Sequence, residues 1–127
     1  MTVKIDVLRV AGDARGYVFE PMEADALGRF RNVHVVYTLP GVVRGNHRHL
    51  AGTEISSMAG PALVRYRQND VIHDVQVPAG EVWRFEFPPG VAHAFRNEGT
   101  QPSLLAAFNT VEHDPQQPDA VRDVLIE

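Results

Sequence analysis

The 127-residue sequence predicts a single all-β domain, a sandwich or barrel of short strands. Three observations carry that expectation. Apolar runs of five to eight residues recur between Gly, Pro and Asn punctuation. No stretch sustains the 3.6-residue apolar period of a long helix. Trp83, Phe85 and Phe87 alternate with Arg84 and Glu86, the clearest two-residue period in the chain.

Residues 3 to 10 largely alternate apolar with polar and predict a strand with one wet face, followed by a turn at Ala11–Ala14. Arg15 to Glu20 reads as a short strand before Pro21, and Met22 to Leu27 as one helical turn. The run Phe30–Leu39 puts Val33, Val35 and Tyr37 on one face and His34 and Val36 on the other, ending at the turn pair Pro40-Gly41. His34 is expected on a sheet surface. Residues 53–58 and 62–67 form a hairpin around Ala59-Gly60-Pro61, with Val64 and Tyr66 on one face and Arg65 and Arg67 on the other. Val71–Val77 follows, with His73 expected on a sheet surface, and Pro78-Ala-Gly80 turns the chain into the aromatic strand. Residues 92–97 and 103–110 supply the last strands. The tail is polar and proline-containing over 114–119, with His113 expected in solvent, and ends in a segment able to pack as a short helix or strand.

Composition narrows the class. Hydrophobic residues make up 44% and charged residues 22%, ordinary for a globular domain. Net charge is −4 with no basic cluster, which argues against nucleic-acid binding. No run has the length or apolarity of a signal peptide or membrane span, so no membrane association is expected. The absence of cysteine excludes disulfides and thiolate metal sites and agrees with a cytoplasmic location. Of the twelve basic residues only Lys4 is a lysine, and arginine is the better bidentate partner for phosphate and carboxylate.

Chemistry concentrates in two stretches. In Gly41–Glu54, His47 and His49 sit two apart, so on a strand both leave the same face. Glu54 follows a break containing Gly52, where the chain is able to turn a carboxylate back. In Pro88–Asn97 a Pro-Pro-Gly turn delivers His93 at the start of another strand. Three imidazoles and a carboxylate suit one divalent transition metal, zinc, nickel, manganese or iron, and affinity order alone does not choose among them. Asn97 is expected to hold a turn, and Trp83, Phe85 and Phe87 to be core.

These stretches resemble the two motifs of the cupin superfamily, the RmlC-like jelly roll. Gly41, His47, His49, Glu54 and Gly60 follow the first motif with one residue fewer before the final glycine. Pro88, Gly90, His93 and Asn97 match the end of the second, while its opening Gly80 lies two residues further upstream than usual. The resemblance implies a double-stranded β-helix over residues 1–127, with core motifs at 41–60 and 80–97. It also implies His47, His49, Glu54 and His93 as ligands converging inside the barrel, His93 from a strand across it. Cupins commonly pair as dimers, which implies a homodimer.

Two further segments are similar to narrower families. Asp13-Ala-Arg15-Gly16 through Glu20 and Gly41-Val-Val-Arg44-Gly45-Asn-His47 resemble dTDP-4-dehydrorhamnose 3,5-epimerases, implying Arg15, Glu20 and Arg44 for holding a nucleotide sugar and His47 as general base. The chain departs from that family by carrying His49 and by having Phe108-Asn-Thr, with no tyrosine after Tyr66. The Arg44-Gly-Asn-His-x-His segment, Thr53-Glu54, Pro88-Pro-Gly-x-x-His93 and the late Asp114-Pro…Pro-Asp119 resemble the metal-containing C-terminal cupin of capsular-polysaccharide sugar epimerases. Nucleotide-sugar 3,4-ketoisomerases share the Val43-Arg-Gly-x-His-x-His pattern. All imply proton removal beside the carbonyl of a 4-keto nucleotide sugar. With His47 and His49 as ligands the base stays open among His73, Glu20 and Tyr66. Two other readings remain, a non-catalytic sugar- or small-molecule-binding cupin and a metal-dependent dioxygenase.

Overall fold

Glycine and proline cut the chain into strands too short to stand alone, so stability has to come from pairing them into sheets that share an apolar interior. The structure, a computed structural model, describes residues 1–127. Twelve strands follow in order: β1 Lys4–Val7, β2 Val10–Asp13, β3 Gly16–Phe19, β4 Asn32–Thr38, β5 Val43–His49, β6 Glu54–Ala59, β7 Ala62–Gln68, β8 Val71–Val77, β9 Val82–Phe87, β10 Ala92–Asn97, β11 Ser103–Asn109 and β12 Ala120–Arg122. A single 3-10 turn spans Leu27–Arg29. No helix is long and apolar enough to cross a membrane.

Ten strands form two five-stranded sheets, ordered β1-β9-β6-β11-β4 and β12-β5-β10-β7-β8, while β2 and β3 make a separate hairpin. Neighbours in both sheets pair antiparallel. The two sheets pack face to face as a jelly roll, the all-β barrel expected from sequence. Period two decides what fills the space between them. Phe85 and Phe87 of β9, Met58 of β6, Val64 and Tyr66 of β7, Phe95 of β10 and Leu105 of β11 form one contiguous core, and Trp83 packs half-buried against it. The central strands β6 and β10 are the most completely enclosed.

Three local expectations shift. The predicted first strand breaks after Val7, where the Leu8 amide still bonds the Val82 carbonyl and the chain then leaves the sheet for the β2–β3 hairpin. The helical turn falls at Leu27–Arg29 rather than Met22–Leu27. The tail chooses strand: β12 adds to the edge of β5, and beyond it Ile126 packs with Leu63 and Ala94 on the sheet's outer side.

Phe85 has no accessible surface at the centre of this core. Phe85→Ala is expected to lower the unfolding free energy by about 3–5 kcal/mol, read from the urea midpoint at unchanged slope. A loss below about 1 kcal/mol would contradict the packing described here.

Candidate metal centre

The inward face of β5 carries His47 and His49, as the two-residue spacing requires. Strand β10 lies beside β5 with His93 opposite His47, and the register shifts between His93 and Ala94. Gly45 occupies that irregularity at φ +83°, and a Cβ there would stand 2.8 Å from the His93 carbonyl oxygen, so the two ligand strands approach this closely only over glycine. After Leu50–Thr53 the chain crosses to the facing sheet, where Glu54 opens β6. The carboxylate therefore comes from across the sandwich, and His93 from the neighbouring strand of the same sheet. That reverses the expected placement of His93, because β10 pairs directly with β5.

The donor atoms of His47, His49, Glu54 and His93 all lie within 4.8 Å of one another. His49 Nε2 is 3.0 Å from Glu54 Oε1, His93 Nε2 is 3.0 Å from Oε2, and His47 Nε2 is 3.7 Å from Oε1. The Ser56 hydroxyl donates to Oε2 at 2.5 Å. Phe87 stacks on the His93 ring with centroids 4.1 Å apart and planes 5° apart, holding its orientation. His93 Nδ1 lies 3.0 Å from the Val91 carbonyl, the position of a donated N–H, so neutral His93 turns an Nε2 lone pair toward the carboxylate. His47 Nε2 and His93 Nε2 are buried and have no hydrogen-bond partner. Lone pairs and an acid converging without enough protons between them are reconciled by a cation, so this group could hold a metal.

Electrostatics at the cluster follow the same logic. Burial alone would raise the Glu54 carboxyl, but the three imidazoles gathered around it, His93 foremost, hold it well below the usual carboxylate range. For His49, burial works against protonation. The hydrogen bond and charge of Glu54, joined by Asp119, outweigh it and lift the ring above its ordinary value.

A cavity of about 350 Å³ opens over the cluster. His47, His49 and Glu54 form part of its lining, and Asn32 and His34 of β4, Asn109 of β11, Glu112, His113 and Asp119 form much of the rest. His34 and His113 are exposed, as expected, and both border the cavity. The signal for His34 lay in its sequence: it shares a strand face with Val36, which packs against the core, while Val33, Val35 and Tyr37 point outward and are exposed. Nothing local in the sequence marked His113, which depends on where the tail returns.

The other sequence-derived candidates lie elsewhere on the chain. Arg15 is exposed in the β2–β3 turn and paired with Asp13. Glu20 borders a separate hollow with Phe19, Met22 and Phe108. Arg44 is exposed, its guanidinium donating to the Tyr37 carbonyl at 2.9 Å. Tyr66 is buried, stacked on His73 at 4.8 Å and tilted against Phe87 at 6.0 Å, and burial pushes its phenol up. None of these four, nor His73, lines the cavity. Asn97 donates to the Thr38 and Gln101 carbonyls and accepts from the Gly99 amide, holding a turn.

Residues 11–121 match the family model described as polysaccharide biosynthesis C-terminal domain. The chain belongs to that family. No curated protein matches it. The fold is similar to a dTDP sugar isomerase from Desulfovibrio desulfuricans G20, at 19% identity and TM-score 0.78 over 94% of this chain and 82% of that one. An RmlC dTDP-6-deoxy-D-glucose-3,5-epimerase from Legionella pneumophila, in complex with dTDP-4-keto-L-rhamnose, is similar at 23% identity and TM-score 0.71, over 91% and 70% of the two chains. The capsular polysaccharide assembling protein CapF from Staphylococcus aureus is similar at 25% identity and TM-score 0.68; 93% of this chain corresponds to 32% of that one, so the chain spans about a third of CapF. These likenesses establish the RmlC-like cupin fold.

The pH dependence has two opposed parts. His49, lifted in the fold, adds stability to the apoprotein that is full below its ordinary value of 6.5 and fades as pH rises through its higher folded value. Protons compete with a metal for the same nitrogens, so binding strengthens over that range. The increase in Tm caused by added Zn²⁺ is therefore expected to grow from about pH 6 to about pH 8, as read by scanning calorimetry. An increase that shrinks with pH would mean the imidazoles are not the ligands.

Proposed function

We propose that this domain is a metal-dependent epimerase or isomerase acting on a 4-keto nucleotide sugar in the cytoplasm. The observation that carries the reading is a three-histidine, one-glutamate cluster, with Glu54 and His93 buried, at the base of a cavity whose wall holds two further histidines, His34 and His113. The dTDP-sugar isomerase and epimerase among its structural likenesses support it. A divalent cation held by His47, His49, Glu54 and His93 would supply Lewis acidity toward a carbonyl oxygen.

The chain's own residues account for the other requirements. The cavity is of a size for a single sugar ring. Asn32 and Asn109 offer amide donors and acceptors to hydroxyl groups. His34 and His113 stand outside the ligand set, and histidine takes and returns a proton near neutral pH. They fill the role of base that His47 loses by serving as a ligand. Arg15, Glu20 and Arg44 are assigned to the nucleotide sugar by the resemblance alone, Arg15 or Arg44 to its diphosphate. Since none of them lines the cavity of its own chain, a second copy is the natural source of such contacts. The unpaired edge of β4 supports a homodimer: Val35 is 63% and Tyr37 58% exposed there, beside Val33 and Leu104.

A second reading has a specific observation behind it. The cavity wall holds no arginine, lysine or tyrosine. That composition also suits a protein that binds a sugar without transforming it.

Zinc-, nickel-, manganese- or iron-loaded protein incubated with a dTDP-4-keto-6-deoxy sugar in D₂O is expected to incorporate deuterium next to the carbonyl, detected by NMR. His34→Ala or His113→Ala is expected to slow that exchange by about 10²- to 10⁴-fold with metal content unchanged. Sugar binding without exchange would favour the binder, and oxygen uptake by the iron form would favour the dioxygenase. For the dimer, Val35→Glu is expected to halve the mass measured by light scattering, whereas an unchanged mass would place the interface elsewhere.

A further inference from the structure

The late Asp114-Pro…Pro-Asp119 segment returns the tail to the candidate metal cluster. Its last residue, Asp119, lies at the centre of a set of contacts behind His49. Oδ1 accepts the Ala51 amide and Oδ2 the Gly52 amide, each at 2.9 Å, and the Asp119 carbonyl accepts the Leu50 amide at 2.9 Å. One carboxylate thus fixes the turn that carries the chain from His49 to Glu54. Oδ2 also lies 3.4 Å from His49 Nδ1, on the ring edge away from Glu54.

The other neighbour of that nitrogen is Asn109 Nδ2, at 3.3 Å. Asn109 Oδ1 accepts the Val111 amide at 2.8 Å, which orients the side chain with its NH₂ toward the ring. An NH₂ group donates and does not accept. When Nε2 gives its lone pair to a cation, the proton of neutral His49 sits on Nδ1, and of these two neighbours only Asp119 is able to receive it. A carboxylate behind a ligating imidazole fixes the ring's tautomer and raises its basicity.

The tail is secured beyond this point. β12 pairs with β5 so that Ala120 lies opposite His49 and Arg122 opposite His47. Asn46, between the ligand strand's glycine and His47, accepts the Leu125 and Ile126 amides and donates to the Ile126 carbonyl. Arg48 and Arg67 converge on Asp123. Gly52 makes the close approach possible: a Cβ there would stand 2.8 Å from Asp119 Oδ2 and closer still to Asn109 Oδ1.

We propose that residues 119–126 are an orienting strap for the metal centre, in which Asp119 is a positioning residue that accepts the Nδ1 proton of His49 while Nε2 faces the metal. The inference rests on the metal-binding reading above. Its test is calorimetric titration of the full-length apoprotein with Zn²⁺, combined with hydrogen exchange of the amides of Leu50, Ala51, Gly52, Leu125 and Ile126. Asp119→Asn is expected to weaken Zn²⁺ binding by about 10- to 100-fold, with Asp119→Glu recovering part of the loss, and Zn²⁺ is expected to slow exchange at those amides in the wild type. A residue that only capped the loop would lower the apoprotein's Tm and leave affinity within about twofold, and that result would overturn the proposal, as would exchange indifferent to Zn²⁺. If Asp119→Asn does not fold, Asp123→Asn loosens the strap without touching a ligand; it is expected to weaken Zn²⁺ binding and speed exchange at Leu125 and Ile126, and unchanged affinity with faster exchange overturns the strap. Wild-type protein that takes up no Zn²⁺, Ni²⁺, Mn²⁺ or Fe²⁺ sinks the metal reading and this inference together, whereas uptake indifferent to both variants sinks the inference alone.

Discussion

Glu54 begins the central strand of one sheet and faces His93 on the central strand of the other. Placing an ionised carboxylate there costs roughly several kcal/mol in lost hydration, and the structure answers with three imidazoles and the Ser56 hydroxyl. Much of the architecture exists to keep these groups in position. Phe87 fixes the plane of His93, the Val91 carbonyl fixes its tautomer, and Gly45 lets β5 and β10 approach. The aromatic core behind them is the rigid wall against which a polar cluster can stay buried and ordered.

The fold was legible because its signals are local. Period-two alternation at Trp83, Phe85 and Phe87, and punctuation at Pro40-Gly41 and Pro78-Ala-Gly80, survive into the strands and turns observed. The four-residue cluster was legible because strand geometry puts His47 and His49 on one face and because two linked motifs name Glu54 and His93. The cavity wall was not. His34 shares an inner face with Val36, but whether an inner face meets apolar side chains or an opening depends on which strand ends the sheet, and sheet order is a long-range property. His113 and Asp119 reach the site only through the return of the tail onto β5, a pairing that three residues of β12 accomplish and no local pattern announces. The error over which ligand crosses the sandwich has the same origin: sequence separation ranks His93 as distant, while the sheet makes it a neighbour.

The division of the surface is consistent with a protein that works on one end. Charged residues cover the outer side of the second sheet, where Arg65 pairs with Asp74 and Arg67 with Asp123. The outer side of β4 is apolar by contrast. Between these faces the cavity is lined mostly by residues that carry amides, carboxylates and imidazoles. Those groups can discriminate between occupants by individual hydrogen bonds as well as by shape.

The four candidate ligands stand on β5, β6 and β10, strands brought together only when both sheets are assembled and stacked. His47 and His49 share one strand and Glu54 follows within five residues, but the full donor set, His93 included, exists only in the folded sandwich. An ion held by all four donors would complete its site only after the polypeptide has collapsed into its native arrangement. Cellular metal supply would then govern how long the finished molecule endures, while the speed of its formation would be left to the pairing of distant strands.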